Sequence, residues 1–154
     1  MNIDPLPNSH AWDLMPKEAI ALQKQLSTQV IRNSTLNIDD IVTVTGIDTH
    51  YLKGISLAAA VTTKITDMET VEYSTAVKRV RFPYIPGLLT FREGPVILDA
   101  LNNLTTTPDV LIFDGQGIAH PRRCGLASHI GLLLNRPSVG CAKTLLSGSY
   151  EKPE

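Results

Sequence analysis

Residues 83–93 read PYIPGLLTFRE, and the hydrophobic period changes across them. Upstream, apolar residues alternate with polar ones at period two; downstream they recur about every three and a half residues. Strands therefore precede the stretch and a helix follows it. The stretch itself is neither, because Pro83 and Pro86 each fix φ and remove a backbone donor, which excludes a central strand and leaves a stiffened loop. Gly87 permits a turn closed to other residues. Thr90 is then the expected N-cap of a helix from Phe91 to about Leu104, with Glu93 in its first turn. Taken alone, this is an ordinary proline-rich connection with a Glu favoured by the helix dipole.

Upstream of the loop, residues 41–48 (IVTVTGID) read as a strand ending on the carboxylate of Asp48, thinned by Gly46. GISLAAAVTTKI (54–65) and ETVEYSTAVKRVRF (69–82) follow as two more. Short connections make the three an antiparallel meander. Before them, Asp13 can cap a helix with Pro16 in its first turn and Ala19, Leu22, Leu26 and Val30 on one face, ending near Ile31. Residues 1–12 are expected to be an irregular lead-in and 33–40 a polar break.

Downstream, Val96, Ile97, Ala100, Leu101 and Leu104 form a buried helical stripe. Residues 109–114 (DVLIFD) are a short apolar run, the pattern of a strand covered on both faces. Gly115 and Gly117 free the backbone at its carboxyl end, where open α/β sheets build sites. A helix carrying Leu126, Ala127, Ile130, Leu133 and Leu134 comes next, then a short strand from Pro137 with Lys143 just beyond. The expected architecture is α/β with a mixed sheet.

The chain has 154 residues, 43% of them hydrophobic, enough for one domain with its own core. A formal net charge of -1 argues against a general polyanion binder and leaves room for a local basic groove. Two cysteines, Cys124 and Cys141, form neither a CxxC nor a disulfide framework, so a reducing, cytoplasmic setting is expected. The first residues lack the basic and apolar regions of a signal peptide, and no apolar run approaches a membrane span.

If the first and fourth strands are neighbours, Asp48, Glu93 and Asp114 can converge. Three carboxylates at close range raise one another's pKa unless a hard divalent ion, Mg²⁺ or Mn²⁺, neutralises them. Such an ion suits phosphodiester hydrolysis. Singly, each acid is an ordinary strand-end or helix-start residue.

The stretches GID (46–48), PYIPGLLTFRE (83–93), DGQGIAHPRRCGLASHIG (114–131) and SVGCAK (138–143) together resemble the motifs of the endonuclease V family, in matching order over most of the chain. The resemblance implies a ribonuclease-H-like fold and a metal-dependent nuclease acting at deoxyinosine, in DNA repair. It implies a cut at the second phosphodiester bond 3′ to the lesion, leaving 3′-hydroxyl and 5′-phosphate ends. Asp48, Glu93 and Asp114 are then the metal carboxylates, Lys143 the lysine near the scissile phosphate, and His120 a site histidine. Tyr84, with Pro83, Ile85 and Pro86, belongs to the wedge that separates strands. Two features depart from the family pattern: Gln116 stands where His is common, and the chain stops at Glu154, before the family's C-terminal segment with a further site histidine.

A Tyr pinned between prolines has lost backbone entropy before binding, so inserting its ring need only offset unstacking, about a few kcal/mol. A flipped base would sit against Gly87, Leu89, Gly115 and Ile118; Leu89 and Ile118 serve equally well as plain core. Arg122, Arg123, Arg136 and Lys143 form an acid-free track for phosphates, with Lys78, Arg79, Arg81 and Arg92 flanking the wedge. Lys78 and Arg79 could equally solvate the outer face of their strand. Cys124 follows two arginines, which lower a thiol pKa. His10, His50 and His129 are structural or surface residues. The expected partner is DNA containing deoxyinosine, or RNA with inosine, bound by a monomer.

The fifth strand is followed by polar, turn-like residues, so one face of the sheet should stay uncovered. A naturally shortened or truncated, marginally stable form with weak or absent cleavage is expected. The alternative is an inosine- or branched-nucleic-acid-binding module without turnover.

Overall fold

The structure, a computed structural model, describes residues 9–33 and 36–151. Most of the expected lead-in, residues 1–8, lies outside the described residues. A five-stranded sheet is ordered β3-β2-β1-β4-β5, from β1 (Thr43–Leu52), β2 (Ile55–Lys64), β3 (Thr70–Arg79), β4 (Val110–Phe113) and β5 (Ser138–Gly140). The first three form the antiparallel meander, and β4 pairs parallel with both β1 and β5. The mixed α/β sheet is as expected.

Helix α1 spans Pro16–Ser27, α2 Leu89–Asn102 and α3 Leu126–Leu134. Helices α2 and α3 pack on one face of the sheet, because alternate strand residues present their small or apolar side chains there. Ile47 of β1, Ala58 and Ala60 of β2, and Leu111 and Phe113 of β4 meet Val96, Ile97, Ala100, Leu101, Ile130 and Leu133 in one core. Two buried polar pairs are satisfied within it: the Thr45 and Thr62 hydroxyls bond at 2.7 Å, and Ser74 donates to the Ala100 carbonyl at 2.6 Å. A smaller cluster of Ala19, Phe82, Leu88 and Phe91 packs α1 against the proline loop.

The opposite face is open among the described residues. Leu57 and Val61 are each 38% exposed, Val139 48% and Val77 63%. No helix among the described residues is long and apolar enough to cross a membrane.

The extents of β1, α1 and α2 differ from the sequence reading. Strand β1 runs four residues past Asp48, because Lys53 (φ 46°) and Gly54 (φ 83°) make a tight hairpin that pairs Leu52 with Ile55. Helix α1 starts at Pro16 with the Met15 N–H bonded to Glu18 at 2.8 Å, so Asp13 is no cap, and it ends at Ser27 rather than near Ile31. Helix α2 begins at Leu89, which puts Thr90 inside it, 1% exposed, and Glu93 in the second turn. The reason is the turn before it: Leu88 N–H bonds to the Ile85 carbonyl at 2.9 Å, with Gly87 at φ 80°, and the chain enters the helix directly.

Candidate functional site

The site begins where the parallel ladder between β1 and β4 stops. Ile47 pairs with Phe113 as the last rung, and the Asp114 N–H bonds to the Ile47 carbonyl at 3.2 Å. Asp48 on β1 and Asp114, just past β4, are the next residues. Since Ile47 and Phe113 face the core, alternation turns both acids to the open face. There they border a shallow depression of about 670 Å³ with Ala59, Val61, Ile112 and Lys143. The Lys143 ammonium bonds to Asp114 Oδ2 at 2.6 Å, and this bond, with the charges of Asp114 and Asp48, holds the lysine above its ordinary pKa.

Glu93 comes from α2 and is half-buried. Burial pushes its carboxyl pKa up, and the negative charges of Asp48 and Asp114 push it further; the Thr49 hydrogen bond and the Arg92 charge oppose this. Glu93 therefore feels the charge of both aspartates across the end of the sheet. The three acids do not form a closed shell: no group of three acidic, histidine or cysteine side chains among the described residues is gathered tightly enough to hold an ion as it stands. All three donors are carboxylates, which fits a hard divalent cation rather than a soft one, and a raised Glu93 pKa is what added positive charge would relieve.

On the proline loop, Pro83, Tyr84 and Pro86 are exposed, Tyr84 at 69%, while Ile85 packs half-buried on the smaller core. An anchored loop thus carries an exposed ring. Arg92 ties down its start, donating to the Phe82 carbonyl at 3.0 Å with its guanidinium 4.1 Å over the Tyr51 ring.

Of the expected base-contacting residues, Gly87 and Leu89 line a small cavity of about 50 Å³ with Gln116, His120, Leu126 and Leu146. Gly115 and Ile118 are not in its lining. Gly115 sits against Leu126, and Ile118 is 44% exposed rather than core. Gln116 donates to the Thr144 carbonyl at 2.6 Å, which ties the 115–117 turn to the segment after β5.

His120 lies buried behind the loop rather than open to a ligand, at 3% exposure. Its Nδ1 accepts from the Arg122 N–H at 3.1 Å and its Nε2 donates to the Gly87 carbonyl at 2.9 Å, so both ring nitrogens are committed. Burial lowers its pKa, and it is held neutral. Arg122 donates to the Gly87 carbonyl at 2.7 Å and to Gln23 Oε1 at 2.7 Å. For Cys124, burial outweighs Arg122 and pushes the thiol up to about 12, the reverse of activation. His129 is buried beside His10, their Nε2 atoms 2.8 Å apart, and burial brings its pKa down to about 3. Sequence reasoning missed Gln23. The available signal was a polar amide on the helical face shared by Ala19 and Leu26, which the structure buries completely.

A three-stranded meander continued by parallel strands, with acids where the ladder between the first and fourth strands ends, places this chain in the ribonuclease-H-like class of α/β folds. A sequence model of Endonuclease V matches residues 24–154. The chain is 51% identical over 145 residues to Endonuclease V of Methanothrix thermoacetophila, covering 94% of this chain and 63% of that one. It superposes on the crystal structure of Endonuclease V from Streptomyces avermitilis with a TM-score of 0.87 at 42% identity, over 94% of this chain and 64% of that one. Ciona intestinalis Endonuclease V, solved with a 24mer DNA containing an inosine followed by a ribo-adenosine, gives a TM-score of 0.80 at 30% identity over 85% and 58%. The chain belongs to the endonuclease V family. It spans under two thirds of the length of these relatives.

Proposed function

We propose that this chain carries the metal-binding edge and strand-separating loop of an endonuclease acting on nucleic acid that contains deoxyinosine. The carrying observation is the meeting of Asp48 and Asp114 at the end of the β1–β4 ladder, close enough with Glu93 for their charges to act on its carboxyl. Asp48, Asp114 and Glu93 would hold a divalent cation, Mg²⁺ or Mn²⁺. Bound there, the ion supplies an activated water and polarises a phosphoryl oxygen.

The chain's own groups supply the rest. Lys143, exposed and protonated, offers its ammonium to a phosphate oxygen once it leaves Asp114. Tyr84 enters the base stack as a wedge, pre-ordered by Pro83 and Pro86, so little ordering entropy is lost on binding. Leu89 and the cavity beneath the loop receive part of the extruded base. Cleavage at the second phosphodiester bond 3′ to the lesion belongs to the same reading, as does a role in DNA repair.

The test is cleavage of matched oligonucleotides carrying deoxyinosine or deoxyadenosine, with Mg²⁺ and with EDTA. Inosine-dependent nicking that EDTA removes is expected, and Asp48→Asn or Asp114→Asn should reduce it about a hundredfold or more. Cleavage that ignores EDTA would refute the metal role. Specific binding without cleavage in Mg²⁺ would leave a binding module in place of an enzyme.

A further inference from the structure

The Gly87 carbonyl is the most heavily used acceptor around the proline loop. It receives Nε2 of Gln23 at 3.1 Å, Nε2 of His120 at 2.9 Å and a terminal nitrogen of Arg122 at 2.7 Å. A carbonyl oxygen has two lone pairs, so three donors saturate it. It has no capacity left for a ligand.

Gln23 is the member that joins this point to the body of the protein. Its side chain is fully buried on α1, where an unpaired amide would be destabilising. Every polar atom of it is used: Nε2 donates to the Gly87 carbonyl and to the Cys124 carbonyl at 3.1 Å, and Oε1 accepts from Arg122 Nε at 2.7 Å. One carboxamide thus bridges α1, the end of the proline loop and the 120–125 segment. With Arg92 holding the Phe82 carbonyl, the loop is pinned at both ends, and between the pins Tyr84 stands exposed.

We infer that Gln23, acting with His120 and Arg122 through the Gly87 carbonyl, is a positioning residue that sets the attitude of Tyr84 for strand separation. The inference rests on the reading of Tyr84 as a wedge. It assigns to His120 and Arg122 the task of holding the loop rather than touching a base or phosphate. A ring that must open a stack transmits force to its backbone, and a loop free to pivot at Gly87 would yield instead of separating the bases.

The test uses the full chain and two variants. Gln23→Leu keeps the volume and removes all three bonds; Gln23→Glu keeps an oxygen for Arg122 and removes the donors. Affinity is measured at fixed salt for a duplex and a single strand of the same sequence, each with one deoxyinosine, alongside Tyr84→Ala and the double variant. Gln23→Leu should weaken duplex binding about tenfold and single-strand binding less than about twofold, with Gln23→Glu following the same pattern to a smaller degree. On the duplex, Gln23→Leu should add little to Tyr84→Ala, since both act through the same ring. Equal losses on both substrates, or full additivity with Tyr84→Ala, would overturn the inference. Amide exchange at Leu88 reads the clamp without nucleic acid and should quicken in Gln23→Leu; unchanged exchange would also overturn it. A wild-type chain that binds neither oligonucleotide would sink the proposed function, a result distinct from either of these.

Discussion

At Gly87 two constraints coincide on one residue. Its φ of 80° is the left-handed region that the Ile85–Leu88 turn requires, and a Cβ there would come within 2.7 Å of the Arg122 guanidinium. Gly87→Ala should therefore destabilise the chain by about 1–3 kcal/mol, checked as a fall in Tm. A wild-type Tm would mean that the loop re-forms without the turn. Glu93 behaves in the opposite sense. Its folded pKa lies above the ordinary carboxylate value, so the folded state prefers it protonated. The stability this gives at low pH is lost as pH rises through the folded pKa. In metal-free buffer at neutral pH, Glu93→Gln should raise Tm, because it removes a half-buried charge that faces two others. The advantage should shrink when Mg²⁺ is added, since only the wild type gains from the ion. A lower Tm for the variant without metal would show that Glu93 is held by bonds stronger than the burial opposing it.

Among the elements, the link between α2 and β4 is secured by a residue of β3. Glu72 accepts from the backbone N–H groups of Thr105 and Thr106 at 2.7 and 2.9 Å, and from the Thr105 hydroxyl at 3.0 Å. These bonds, led by that of the Thr105 N–H, lower its pKa from 4.5 to about 2. A depressed carboxylate contributes stability that is present above its unfolded pKa and lost as pH falls through the folded one. The contribution should fade between about pH 4.5 and about pH 2. Glu72→Gln should flatten that part of the stability profile, measured by urea unfolding across the range. An unaltered slope would mean that water replaces the carboxylate without loss.

For the molecule as a whole, the two faces of the sheet behave differently. One is sealed by α2 and α3. The other displays Leu57 and Val61 at 38% exposure each, with Val61 lining the depression that holds the acids. Parallel strands are ordinarily covered on both faces, so this surface should bind an apolar dye. Leu57→Thr with Val61→Thr should reduce dye binding while changing stability by no more than about 0.5 kcal/mol per site, as for other exposed positions. A large drop in Tm would show that the face is buried in solution, by self-association or otherwise.

Local sequence determined the elements and their order. The change of period across residues 83–93 separated strands from helix, because side-chain direction repeats every two residues in one and every 3.6 in the other. The long, ordered motifs pointed to the family, which the relatives then showed. Boundaries set by bonds between distant segments were less legible: β1 outruns its alternating pattern because β2 extends its ladder, and α2 starts early because the turn at Gly87 feeds it. Only tertiary structure decided how the candidate residues divide. Asp48, Asp114 and Lys143 meet on the open face because β1 and β4 are neighbours, and Glu93 reaches their field from the helix behind. His120 and Arg122, in the same motif as Asp114, instead turn to the Gly87 carbonyl, which is also held by Gln23, about a hundred residues before them in sequence. Motif membership follows the chain, whereas hydrogen bonds and fields follow distance in space, and a buried amide shows its partners only once the helix carrying it has docked.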